Sequence, residues 1–206
     1  KLFKSGNSLT LGQKYHFIAG WLPWIADAAN MIFNFAALFW TIAMLLAPRS
    51  IDAPMVEFAL FPLVLFSFKI GKMIYIYRFR ARASALSILG AALAGVALSH
   101  TIACAIVQGI VTSDKPFFRT PKKANVHALA RAMLECREEL LFATALLLSA
   151  YVLSSMKGMM TLDMHLWIIV LMIQSIPYLA TVLVAVISAM PKLSAKYVGI
   201  TPSMHF

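Results

Sequence analysis

Residues 84–111 read SALSILGAALAGVALSHTIACAIVQGIV, and the fold turns on whether this apolar stretch crosses a membrane. It is longer than the ~20 apolar residues that span a hydrocarbon core. Its composition sets it apart from the other apolar runs. It is rich in Ala, Gly and Ser, lacks Trp, Phe and Tyr, and carries Ser99, His100 and Gln108. Small residues let helix backbones approach closely. A lone histidine in such a helix serves packing more often than ligation.

The whole chain shares the apolar character. Of its 206 residues, 61% are hydrophobic and 13% charged, with a mean hydropathy of +0.82. Soluble domains run at about 45–50% apolar and about 25% charged. A soluble domain of this length cannot hide so much apolar surface, so the chain reads as an all-α integral membrane protein. The net charge of +10 then reports topology rather than nucleic acid, because Lys and Arg gather in cytoplasmic loops. Anionic lipid head groups, or an anionic substrate at that face, add to the reason. Cys104 and Cys136 show no CxxC or Cys/His ligand spacing, which argues against a disulfide framework and a metal site.

Working outward toward the N-terminus, residues 55–77 form a span that ends in the basic cluster Arg78, Arg80 and Arg82. Lys69 and Lys72 in its last turns are placed to snorkel to the head groups. Residues 25–47 form another span, on which Asp27, Asn30 and Asn34 share one helix face. That stripe reads equally as the lining of a polar path or as helix–helix hydrogen bonding. Before it, residues 9–22 read as a short interfacial helix with a bend at Pro23. Trp21 and Trp24 serve there as interface anchors. The chain as a whole reads as one region of a longer protein, with residues 1–24 following an upstream domain and 25–206 forming the membrane region.

Toward the C-terminus, Lys115-Pro116-Phe117-Phe118-Arg119-Thr120-Pro121-Lys122-Lys123 is strongly polar and turn-prone. Residues 124–137 form an amphipathic helix with Asn125 as its N-cap. Glu138 and Glu139 read as a solvated helix end rather than a catalytic pair, since adjacent helical residues do not face each other. Residues 140–155 and 163–190 are further spans, the last kinked by Pro177 beside Gln174.

Charge then decides the central stretch. If 84–111 spans, the cationic segment at 115–137 lies opposite the arginine cluster, against the positive-inside bias. If it lies in the interface or re-enters, sixteen cations share one side and only Arg49 and Lys157 lie on the other. The expectation is about four transmembrane helices, an N-terminal interfacial helix, and an interfacial or re-entrant helix at 84–111. Both ends and residues 112–137 then face the cytoplasm.

With that topology, Phe117-x-Arg119-Thr120-Pro121-Lys122 resembles the F-x-V-T-P-K gating loop of cellulose synthase and related processive family 2 glycosyltransferases. Arg119 stands where the family has valine. The helix carrying His100 and Gln108 is similar to the cytoplasmic interfacial helix before that loop. The stretch from Leu9 to Asp27 resembles the segment after the catalytic domain in bacterial β-glucan glycosyltransferases, including β-1,3-glucosyltransferase-like members. The resemblance implies an inner-membrane translocation region in which the loop at 112–124 gates a nucleotide-sugar site. Phe117, Arg119, Thr120, Pro121 and Lys122 would contact the donor, and Trp21, Trp24, Asp27, Asn30 and Asn34 would border the glycan. It implies no catalytic residue and no cofactor within these residues. The D-x-D-type motif, the acidic base and the Q-x-x-R-W motif, with a divalent Mg or Mn ion, would lie in the upstream catalytic domain. Partners would be that domain, the nucleotide-sugar donor, the glycan acceptor and lipids, with no nucleic acid. A rival reading is a small transporter or channel subunit, with Asp27, Gln174 and Pro177 forming a solute site.

Overall fold

The computed structural model describes residues 9–112, 128–156 and 161–190, all of whose regular structure is helical. The segment holding Phe117, Arg119, Thr120, Pro121 and Lys122 lies outside the described residues. So do Asn125, the proposed N-cap of the following helix, and the cations Lys157, Lys192 and Lys196.

Helix α1 runs from Leu11 to Leu46 without interruption. Thr10 and Gln13 start it with a reciprocal cap, in which the Gln13 amide donates to Thr10 Oγ1 and the Thr10 amide donates to Gln13 Oε1. The separate interfacial helix expected at 9–22 is therefore the first part of α1, and the helix continues through Pro23. Proline removes the amide that would bond the Ala19 carbonyl. That carbonyl is satisfied from another helix, because Lys72 Nζ donates to it at 3.0 Å. At ~1.5 Å per residue, α1 is ~54 Å long, well beyond a ~30 Å hydrocarbon core.

Helix α2 (Val56–Tyr75) continues into a π-helical turn at Ile76–Arg80. Arg82 stops it in the left-handed region with φ 49°, at a cost of about 1 kcal/mol. Contacts between α1 and α2 run in opposite order along the two chains: Phe33 beside Phe61, Asp27 on Lys69, Ala19 on Lys72. The two helices are antiparallel. The start of α1 and the arginine cluster thus share one face of the bundle, hereafter the basic face. After α3 (Ala85–Ala97), α4 (Ser99–Val111) and the short amphipathic α5 (Ala128–Glu135), α6 (Arg137–Ser155) and α7 (Leu162–Ala189) complete the bundle. Asn34 pairs with Tyr178 and Thr41 with Trp167, so α7 is antiparallel to α1 and ends on the basic face. Along α6 and α7, Phe142, Leu146, Leu153, Trp167, Val170 and Leu171 form the main core, against Ala37 and Met44 of α1.

Five helical segments are long and apolar enough to cross a membrane, counting Ala85–Val111 as one. Packing separates that one from the rest. Along α3 and into α4, Gly95 lies against Met73, the Ala97 carbonyl accepts from Thr181 at 2.7 Å, Ser99 meets Lys69, and the His100 ring meets Tyr178. On α2 and α7, Lys69 and Tyr178 are farther from the basic face than Met73 and Thr181. The chain therefore climbs away from that face as far as His100. Cys104 then lies beside Met31 and within 4.8 Å of Glu138. Both are nearer the basic face than the Asn34 and Phe142 that neighbour His100. The chain has turned back. Residues 85–111, one of the five candidate spans by length, are thus bent at Leu98 into the two arms of a hairpin, unlike α1, α2, α6 and α7.

Gly95 packs closely on the rising arm. A Cβ there would come within 2.5 Å of Met73 Cε, so that the flexible end of the Met73 side chain would have to swing aside.

The hairpin predicts a labelling pattern. Cysteines placed at Lys14 and Thr112 should react with an impermeant maleimide from the same side of a sealed vesicle, and one at Ser50 from the opposite side. Labelling of Thr112→Cys from the Ser50 side would replace the hairpin with a fifth crossing.

Candidate functional site at the hairpin apex

The apex of the hairpin rests on a buried polar cluster, supplied mainly by the face of α1 that the sequence marks as polar. Asp27 is 7% exposed, Asn34 1%, and Asn30 is partly buried. Lys69 Nζ donates to both Asp27 carboxylate oxygens, at 2.7 and 2.9 Å, and lies 2.6 Å from Ser99 Oγ. Lys69 and Lys72 therefore do not snorkel to head groups. Each reaches sideways to α1, because a carboxylate and a proline-freed carbonyl offer stronger partners at that depth than the distant interface.

Two turns farther along α1 from Asp27, Asn34 Nδ2 donates to Tyr178 Oη at 2.7 Å. The Tyr178 ring stacks on Phe142 at 5.1 Å, and the His100 ring contacts both. Asn34 Oδ1, His100 Nδ1 and both side-chain polar atoms of Gln174 are buried without a hydrogen-bond partner among the described residues. Asn34 and His100 border a cavity of about 10 Å³, and Asp27, Lys69 and Ser99 border a second of similar size. Each has room for about one water. A water in the first would be placed to serve both Asn34 Oδ1 and His100 Nδ1.

Three of the five residues expected to border a glycan, Asp27, Asn30 and Asn34, thus come together. Trp21 and Trp24 do not join them; they are 52% and 49% exposed on the outer surface of α1. No sugar ring fits either small cavity in this arrangement. A cavity of about 450 Å³ lies at the opposite end of the bundle. Its wall is almost wholly apolar and includes Phe33, Trp40, Phe58 and Trp167.

Two features escaped the sequence reading. Glu139 is buried at 7% exposure, whereas the side chain of Glu138 is 65% exposed, so the pair is not a uniformly solvated helix end. His100 and Cys104 do have ligand-like spacing, four residues apart on one face of α4. That i, i+4 signal is present in the sequence, but the third member of the group, Glu138, comes from a different helix.

Comparison with protein-family models, with curated proteins and with solved structures finds no match for this chain.

Proposed function

We propose that this chain is the membrane and translocation region of a bacterial inner-membrane glycosyltransferase, working with a catalytic domain upstream. That domain transfers sugar from a nucleotide donor, UDP-glucose in this reading, to a growing β-glucan, and the spans pass the polymer across the bilayer. The observation that carries the reading is the re-entrant hairpin. It turns α4 back toward the basic face ahead of the cationic, aromatic segment at 115–123 in the sequence. The positive-inside rule assigns that face to the cytoplasm, where nucleotide-sugars reside.

The loop chemistry suits a diphosphate. Arg119 and Lys122 provide charge-assisted hydrogen bonds to phosphate oxygens, and Thr120 provides a hydroxyl. Phe117 packs on a base or sugar, and Pro121 limits the conformations the loop visits. Closing over donor would exclude water from the transfer. Mg or Mn belongs to the upstream domain in this reading. Passing a glycan along the polar face of α1 requires α1 and the hairpin apex to part, since the cavities between them hold about one water each.

A second reading has its own observation. A charged pair, Asp27–Lys69, stands beside a broken helix inside the bundle, as in solute sites of secondary transporters.

The full-length protein in membranes separates the two. Thr120→Ala and Lys122→Ala should each reduce polymer synthesis by about tenfold or more, the scale of losing one positioned phosphate contact, while the protein still inserts. Normal synthesis by both variants removes the gating role. Absence of any nucleotide-sugar-dependent product, together with solute flux that Asp27→Asn abolishes, establishes the transporter.

A further inference from the structure

We propose that His100, Cys104 and Glu138 form a zinc site that staples the descending arm of the hairpin to the start of α6. The three come from two elements. His100 and Cys104 lie four residues apart on α4, so both side chains leave the same face. Glu138 sits in the first turn of α6. His100 Nε2 is 3.6 Å from Glu138 Oε2 and 3.6 Å from Cys104 Sγ, and the three ligand atoms all fall within 4.8 Å of one another.

The two separations from His100 Nε2 match the edges of a metal centre. Zinc binds sulfur at ~2.3 Å, imidazole nitrogen at ~2.0–2.1 Å and carboxylate oxygen at ~2.0–2.2 Å, in tetrahedral geometry. Tetrahedral angles then place sulfur about 3.6 Å from nitrogen, and nitrogen about 3.4 Å from oxygen. As a hydrogen bond, 3.6 Å is long for nitrogen to oxygen; as the edge of a coordination tetrahedron it is ordinary.

Charge and access agree. A thiolate and a carboxylate neutralise a dication, so the loaded site adds no net charge to an apolar bundle. Thiolate with imidazole and carboxylate favours zinc over the hard cations, which take oxygen alone. The exposed Glu138 side chain opens the site toward the basic face, giving the ion an entry and leaving a fourth position for water. Behind the ring, His100 Nδ1 is buried and borders the one-water cavity that Asn34 Oδ1 also borders. A water there would fix the tautomer that leaves Nε2 free to bind metal. The staple would join the descending arm, α4, to the start of α6.

The test uses the full chain in detergent, stripped with a chelator and titrated with Co²⁺ as a spectroscopic probe for zinc. The folded wild-type chain should take up cobalt with tetrahedral visible bands and a thiolate-to-metal charge-transfer band, and Zn²⁺ should displace both. Cys104→Ser should abolish the charge-transfer band and weaken binding at least about tenfold. Glu138→Gln, at an exposed position, should weaken it without unfolding the chain, and Cys136→Ser should change neither. No cobalt uptake by folded wild-type chain overturns the site, as does a charge-transfer band that survives Cys104→Ser.

Discussion

Replacing Asp27 by alanine is expected to destabilise the chain by about 3–5 kcal/mol, the range for removing one partner of a buried ion pair. The side chains of Asp27 and Lys69 are 6% and 13% exposed, so the survivor is left charged in an apolar bundle. Lys69→Ala should cost a similar amount. The double variant Asp27→Ala/Lys69→Met should recover much of the loss, because an apolar pair of similar volume carries no desolvation penalty. Thermal unfolding in detergent, read as a double-mutant cycle, measures the coupling. Additive losses would mean that the two charges do not depend on each other. The pair also fixes the hairpin apex, since Lys69 holds Ser99 at 2.6 Å. The labelling pattern at Thr112 is therefore expected to become mixed in Asp27→Ala and to stay intact in the double variant.

Trp167→Ala should be the most damaging change in the apolar core, at about 3–5 kcal/mol. Trp167 is 2% exposed, packs on Phe33, and donates from Nε1 to Thr41 Oγ1 at 3.1 Å. Truncation removes the ring from the junction of α1 and α7 and extends the cavity of about 450 Å³ that it lines. Trp167→Phe keeps most of the volume and should lose chiefly the hydrogen bond, about 1 kcal/mol. Equal losses for the two variants would show that the hydrogen bond, not packing, holds that junction. Neither change touches the basic face, so cobalt binding at His100, Cys104 and Glu138 should persist in Trp167→Phe.

Much of the architecture is legible in composition and charge. Apolar runs longer than the bilayer needs identify five candidate spans, and each of them is helical in the structure. The small-residue content of 84–111 anticipates a helix enclosed by others, and the packing of Gly95 on Met73 is such a contact. The stripe of Asp27, Asn30 and Asn34 follows from helical periodicity and does face inward. Its partners were not legible. Lys69 is 42 residues from Asp27, and Tyr178 is 144 from Asn34. Periodicity tells which face of a helix is polar and is silent on which helix meets that face.

By itself, then, the sequence determined an all-α bundle of apolar helices long enough to cross a membrane. This depends on hydropathy, which is a property of segments. Only the tertiary structure decided that the third apolar stretch breaks at Leu98. No proline or glycine occupies that position, and the Ala97 carbonyl there is taken by Thr181 while Ser99 is taken by Lys69. It decided that α1 runs unbroken past Pro23, because Lys72 arrives from α2 to satisfy the freed carbonyl. It also brought Glu138 to His100 and Cys104. Each of these depends on groups far apart in the chain meeting at a distance of a few ångströms, which only packing sets.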